Sequence, residues 1–221
     1  MNRLIIICEG QAEQEFSTSL LYDYFLSKDI IVQAPTIKKS NGGIVKWNVL
    51  KNEIEIYLKN DKSAYVTTFI DYYGIGTNKG YPNNRNVSNT NERRSIIEGM
   101  LEGMLNDIDL QLRDRFIPYI QLHEFESLVF SDTNILLEFF ENEDIVDIDY
   151  LNHTIKEYSD PELINNSEQT APSKRILRII PVYDKILDGK MILEEIGINE
   201  LKSKCLGFNN WITRIEDVLI R

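Results

Sequence analysis

The chain has 221 residues and a formal net charge of −11, from 24 Lys and Arg against 35 Asp and Glu. Its length predicts one domain, or one domain with an appendage, and its two cysteines and two histidines exclude a disulfide framework and a cysteine- or histidine-rich metal centre. Nine of the acids lie in residues 116–155, which contain no Lys or Arg, so the rest of the chain is nearly neutral and a phosphate-bearing substrate is not excluded.

The first 130 residues alternate strand and helix patterns. Continuous apolar, β-branched runs are typical of strands buried in a parallel sheet, and apolar residues at helical spacing lie between them. Residues 72–89, rich in Gly and Asn, predict a long, mobile loop. The strands are predicted at residues 4–8, 30–32, 64–70 and 116–122, and the helices at residues 13–25, 47–58 and 97–108.

The last third of the chain has a different pattern. Helical spacing recurs at residues 176–180, 183–201 and 211–219, without a convincing strand. The sequence therefore predicts an α/β fold, a mostly parallel sheet flanked by helices with a helical C-terminal cap. We expect a core at 1–130 and a helical extension at 131–221 that packs on it as one structural unit. No apolar run is long enough for a signal peptide or a membrane span, which predicts a cytoplasmic protein without a membrane partner.

Three predicted strands end on or near an acid, namely Glu9, Asp71 and Glu124. Ligands of open parallel sheets bind beyond the carboxyl ends of the strands, so we expect these acids, with Glu126, to converge at one edge. Such oxygen ligands are what Mg²⁺ requires. Each acid also has a structural alternative. Glu9 can complement a helix dipole, Asp71 can serve as a turn residue, and the other two can lie in a solvated helical turn.

Two other residues are candidates for direct chemistry. His123 can act as a general base or a metal ligand, or it can make one structural hydrogen bond. Lys174 lies in a basic segment, residues 171–175 extended by Arg178 and Lys185, that can position phosphate and stabilise charge in a transition state or form the solvated face of a helix that begins at Pro172. The sequence has neither a glycine-rich phosphate loop nor a dinucleotide-binding fingerprint.

Several motifs resemble known families. The strand that ends in Glu9-Gly10, followed by Glu13, resembles the opening motif of TOPRIM domains, and Asp71-Tyr72-Tyr73-Gly74 resembles their Asp-x-Asp motif. The whole chain resembles the bacterial family catalogued as domain of unknown function 4276. The motifs that carry this second resemblance are Cys8-Glu9-Gly10, Asp71-Tyr72-Tyr73-Gly74, the stretch from His123 to Ser131, Ala171-Pro172-Ser173-Lys174-Arg175, and Tyr183-Asp184-Lys185 with Gly189.

The resemblance implies a TOPRIM/Rossmann-like fold and phosphodiester chemistry that depends on Mg²⁺ or Mn²⁺. It implies that Glu9 is an acid/base or a metal ligand and that Asp71 binds the metal. The second Asp of the motif is replaced by Tyr73, a phenol too weakly acidic to substitute for a carboxylate. Glu124 or Glu126 can restore the missing ligand, and Lys174 can stabilise the developing charge.

Two functions from different classes remain open at this point. The first is a metal-dependent, nuclease-like phosphodiester hydrolase that acts on nucleic acid, as the effector of an ATPase-linked phage-defence system. The second is a catalytically silent module that binds and regulates a partner ATPase through the acidic residues 116–155. The convergence of acids favours the first, and Tyr73 favours the second.

Overall fold

The computed structural model describes residues 2–38, 43–85, 90–165 and 167–220. Within these residues, the centre is a parallel sheet of four strands in the order β2-β1-β3-β4. The strands are β1 (Asn2–Cys8), β2 (Ile30–Gln33), β3 (Ala64–Phe69) and β4 (Phe116–Ile117). The helices are α1 (Gln11–Phe16), α2 (Tyr22–Leu26), α3 (Trp47–Asn60), α4 (Thr90–Asp107), α5 (Thr133–Glu138), α6 (Ile148–Glu157), α7 (Pro172–Ile179), α8 (Leu187–Lys204) and α9 (Leu206–Leu219).

The side chains of β1 alternate between two apolar layers, one on each face of the sheet. Leu4 and Ile6 belong to a layer that contains residues of α1, α2 and the C-terminal helices α8 and α9. Ile5 and Ile7 belong to a second layer, with α3 and α4. Because both faces are covered, the strand carries a continuous apolar run rather than an alternating one.

The α/β fold class predicted from the sequence, a Rossmann-like parallel sheet flanked by helices with helices at the C-terminal end, is confirmed. The division at residue 130 stays a prediction; core residues from both sides of it share one apolar layer. Within the part of the chain that the structure describes, no helix is both long enough and apolar enough to cross a membrane.

Two predicted segments differ in detail. The strand predicted over 116–122 ends at Ile117, because Pro118 has no N–H to donate to a strand ladder. The chain still follows β3, since the hydroxyl of Thr68 donates to the carbonyl oxygen of Tyr119 at 2.7 Å. In the loop predicted over 72–89, short 3₁₀ turns occur at Tyr72–Gly74 and Thr77–Lys79, and residues 86–89 lie outside the described residues. Its mobility stays a prediction.

The strand order reverses between β1 and β3. From β1 the chain passes to β2 on one side, whereas β3 and β4 lie on the other side. In open parallel sheets, a crevice forms at the carboxyl ends of the two strands at such a reversal, and ligands bind there. Cys8 and Phe69, the last residues of the two strands, pair in register. Glu9 directly follows Cys8 and Asp71 lies two residues after Phe69, so both lie at the crevice.

Candidate metal centre

Glu9 and Asp71 meet where β1 and β3 end. The backbone N–H of Asp71 donates a hydrogen bond to Glu9 Oε2 at 3.0 Å. Gly74 lies against the same carboxylate, because a Cβ atom at Gly74 would be 3.2 Å from Glu9 Oε1 and 3.0 Å from Ile44 Cγ2. Because Gly74 has no side chain, the Glu9 carboxylate fits between the loop and the strand ends.

Two further buried carboxylates lie at this edge. Glu13, in the first turn of α1, is 3% exposed and accepts a hydrogen bond from the backbone N–H of Gly10 at 2.9 Å. Glu126, in the 3₁₀ helix Phe125–Ser131, is 1% exposed. Both interact electrostatically with Asp71. We call Glu9, Glu13, Asp71 and Glu126 the carboxylate cluster.

The ammonium group of Lys185 is the counter-ion of the carboxylate cluster. Lys185 Nζ lies 3.1 Å from Glu126 Oε2 and 3.8 Å from Glu13 Oε1. Lys185 belongs to the connection between α7 and α8, and its side chain keeps 41% of its surface exposed. Lys79 also acts electrostatically on Glu9, but two ammonium groups against four carboxylates still leave an excess of negative charge at the edge of the sheet.

Burial, with repulsion from neighbouring acids, raises the pKa values of Glu9, Asp71 and Glu126. Burial is the largest cause for Glu9, whose pKa rises from 4.5 to about 7, and Glu13 adds to this shift. Burial also raises the pKa of Asp71 well above its usual range and raises the pKa of Glu126. For Lys185, burial lowers the pKa, but the neighbouring carboxylates outweigh this effect and raise it. Binding of protons or of a cation therefore stabilises the cluster.

The donor atoms suit a hard divalent cation. Mg²⁺ and Mn²⁺ prefer carboxylate oxygens, and the cluster supplies these at a ligand-binding edge. Asp71 Oδ1 is buried and has no hydrogen-bond partner among the described residues, a costly state for a carboxylate oxygen. Among these residues, no three acidic, histidine or cysteine side chains already surround a point as metal ligands do. The cluster fits a divalent cation in chemistry and charge, with Lys185 as its present counter-ion.

Glu124 has a different contact from Glu126. Its Oε2 accepts a hydrogen bond from the backbone N–H of Ser173 at 3.0 Å, in the first turn of α7. A carboxylate at this position satisfies an N–H group that has no partner within the helix and complements the helix dipole. Of the two acids predicted after the fourth strand, the structure brings Glu126 into the cluster and joins Glu124 to α7.

His123 is held by residues from two other segments. Its Nδ1 lies 3.3 Å from a terminal guanidinium nitrogen of Arg93 and 3.4 Å from Asn165 Nδ2. Because a guanidinium group can only donate, Nδ1 is the acceptor, and the neutral ring carries its proton on Nε2. Burial lowers the pKa of His123 to about 3, and Arg93 adds to the shift. So weak a base suits a structural hydrogen bond better than proton abstraction at neutral pH.

Sequence reasoning did not place Glu13 in this site, and it named Lys185 only as an extension of the basic segment that could position phosphate. Glu13 could have been predicted, since it lies four residues after Glu9, in the first turn of the helix that follows the strand. No local pattern links Lys185 to the strand ends. Lys174, which was predicted to stabilise phosphate charge, is exposed on α7, whereas Lys185 contacts the cluster.

Comparison with known proteins identifies the family. The family model of a domain of unknown function, DUF4276, matches residues 8–216. The chain belongs to the DUF4276 family. This confirms the membership that the motifs predicted, and the match includes the whole carboxylate cluster and Lys185. Among solved structures, the C-terminal region of the Burkholderia pseudomallei OLD protein is similar, with a TM-score of 0.48, 16% identity and 98% of each chain covered. No curated protein matches the sequence.

Proposed function

We propose that this DUF4276 protein is a nuclease-like enzyme that hydrolyses phosphodiester bonds in nucleic acid with Mg²⁺ or Mn²⁺. The observation that carries the proposal is the carboxylate cluster, four acids gathered with one ammonium group where the strand order reverses. The resemblance of the motifs around Glu9 and Asp71 to TOPRIM motifs supports the same reaction class and suggests an ATPase partner in phage defence.

The cluster residues have separable roles in this proposal. Asp71, Glu126 and Glu13 would hold the cation, which when bound supplies charge stabilisation at the phosphoryl group and an activated water. Glu9 has a pKa of about 7, so it can accept and return a proton at neutral pH. Lys185 would neutralise substrate phosphate, because a divalent cation would take over its pairing with the carboxylates.

Tyr73 bears on whether this site is active. It stands where the resembling motif has its second Asp, and its side chain is 46% exposed while its backbone N–H donates to the carbonyl oxygen of His123 at 3.1 Å. In the proposal, Glu13 and Glu126 supply the carboxylate charge that this Asp would bring. The rival function, a silent regulatory module of an ATPase, rests on the same substitution.

The deciding experiment pairs cleavage with metal titration. Wild type, Glu9→Gln, Asp71→Asn and Glu126→Gln are incubated with single- and double-stranded DNA and RNA in Mg²⁺ or Mn²⁺, and calorimetry measures metal affinity on the same folded samples. We expect all three amide variants to lose cleavage. Asp71→Asn and Glu126→Gln should bind the ion at least about tenfold more weakly, because amides keep the shape but lose the charge of a ligand. Glu9→Gln should weaken binding less, because it removes a neighbouring charge rather than a ligand.

Two lysine variants separate phosphate binding from metal binding. Lys185→Gln is expected to lower cleavage without weakening metal affinity. Lys174→Gln is the matched control, because Lys174 is exposed on α7 and is the lysine that the sequence predicted to stabilise phosphate charge. A loss of cleavage in Lys174→Gln alone would return the phosphate role to Lys174. If wild type binds neither ion and cleaves no substrate, the hydrolase proposal fails and the regulatory module takes its place.

A further inference from the structure

A second feature lies away from the carboxylate cluster, between the end of α5 and the start of α6. A groove of about 510 Å³ opens on the surface there. We call it the acidic groove. Its lining residues are Leu137, Glu138, Phe140, Asn142, Ile145 and Ile148.

The floor and margin of the acidic groove are apolar. Val146 and Ile148 are 61% and 41% exposed, although both are large aliphatic residues. The backbone N–H of Val146 donates to the carbonyl oxygen of Ile179 at 2.8 Å, which joins this segment to the end of α7. Four of the six lining residues are apolar, and grouped rather than isolated exposed apolar residues mark interaction sites on soluble proteins.

The acidic groove belongs to residues 116–155, which contain acids but no Lys or Arg. Arg178, on α7, contacts this part of the chain. Its guanidinium group lies 2.8 Å from Asp147 Oδ2 and 3.7 Å from the ring centre of Tyr150. The charge of Arg178 is therefore already paired with that of Asp147. Four exposed acids of the segment have no Lys or Arg partner among the described residues: Glu138, Glu141, Glu143 and Asp149.

We propose that the acidic groove is the docking site for a segment of another protein that presents apolar side chains flanked by Lys or Arg. The apolar floor requires apolar side chains, and the unpaired acids require positive charge beside them. The same acids repel the phosphates of nucleic acid and the headgroups of anionic lipid. The inference does not rest on the proposed hydrolase activity, because none of these residues belongs to the carboxylate cluster.

Binding of synthetic peptides to the full chain tests this proposal. The probe is a fluorescein-labelled peptide of Leu and Lys with the Leu residues at helical spacing, measured by anisotropy. One comparison peptide has the same composition in scrambled order, and another has Glu in place of Lys. We expect saturable binding of the first peptide, which weakens as salt is raised to about 0.3 M because the charges are exposed.

Matched variants locate the binding site. Ile148→Asp and the double variant Glu138→Lys with Glu141→Lys are each expected to weaken binding by about tenfold or more, a loss of about 1.4 kcal/mol. The matched controls carry corresponding changes elsewhere, namely Leu110→Asp between α4 and β4, where Leu110 is 74% exposed, and the double variant Glu195→Lys with Asp217→Lys on the exposed faces of α8 and α9, which changes the net charge equally. The controls should bind as wild type does.

Several results would overturn the proposal. The scrambled or Glu peptide could bind as tightly as the first, or the groove variants could bind as tightly as the controls. Binding of anionic vesicles or duplex DNA that Ile148→Asp abolishes would assign the groove to a lipid or a nucleic acid. Self-association of wild type that Ile148→Asp abolishes, measured by light scattering, would assign it to a second copy of this chain. The carboxylate cluster is intact in every variant, so these results do not bear on hydrolysis.

Discussion

The carboxylate cluster and the acidic groove use the same residue types in opposite environments. In the cluster, Glu13 and Glu126 are almost fully buried and share the Lys185 ammonium group. In the groove segment, Glu141 and Glu143 are exposed to solvent. Burial makes each uncompensated charge costly, whereas water screens exposed charges. Position in the fold, rather than acidic composition, therefore separates a candidate site for chemistry from a candidate site for association.

The largest expected effect comes from removing the counter-ion of the cluster. Lys185→Met removes the ammonium group that contacts Glu13 and Glu126. We expect the free energy of unfolding to fall by about 2–3 kcal/mol, below the full cost of breaking a buried pair because Lys185 is partly exposed. Mg²⁺ should restore much of this loss, since a ligand of the folded state stabilises it. Urea unfolding with and without Mg²⁺ measures both effects.

The matched control for this variant is Lys174→Met on the exposed face of α7. Its stability should change by less than about 0.5 kcal/mol and should not depend on Mg²⁺. Equal losses in the two variants would mean that the cluster does not depend on its buried contact with Lys185.

The next effect is the pH dependence of stability without metal. The pKa of Glu9 in the folded chain is raised from 4.5 to about 7, so between these values the folded state binds more protons than the unfolded state. Stability should therefore fall as pH rises from about 4.5 to about 7, by about 1–2 kcal/mol for this group. Glu9→Gln does not titrate and should flatten this part of the profile. An unchanged slope in Glu9→Gln would show that Glu9 is not the group responsible.

Local sequence patterns predicted most of the fold. The buried run at β1 predicted a central strand because both faces of that strand are covered. The same reasoning put Glu9 and Asp71 together, since the carboxyl ends of neighbouring parallel strands lie at one edge. The fourth strand is shorter than predicted, because Pro118 has no backbone N–H and ends the hydrogen-bonded ladder, although the chain continues alongside β3.

Contacts between distant segments account for what the sequence did not reveal about the site. Glu124 and Glu126 are alike in sequence, and the 3₁₀ helix that begins at Phe125 decides which of them is buried with Lys185. The contact of Lys185 depends on how the α7–α8 connection packs against α1. His123 adopts a φ of +69°, a conformation that residue type alone does not predict.

A smaller effect is expected at the glycine beside Glu9. In Gly74→Ala, the new Cβ would lie 3.2 Å from Glu9 Oε1 and 3.0 Å from Ile44 Cγ2, so one of the two must shift. We expect a loss of stability of about 1 kcal/mol and weaker metal binding. Gly99→Ala in α4 is the control, since its nearest neighbour would be Asn83 Cβ at 3.9 Å and alanine favours the helix. Calorimetry with Mg²⁺ that shows equal affinities would contradict the prediction.

The smallest expected effect is charge reversal in the acidic groove segment. Glu141→Lys and Glu143→Lys should each change the free energy of unfolding by less than about 0.5 kcal/mol, because both side chains are exposed and solvated. The sign should be slightly stabilising, since each change relieves repulsion within an acidic stretch, and the effect should fade as salt is added. Urea unfolding at low and high salt measures this effect.

Glu126→Lys is the comparison, because it would bury a second ammonium group beside Lys185 and should lower stability by several-fold more. Similar small changes at all three positions would mean that burial does not distinguish the cluster from the groove.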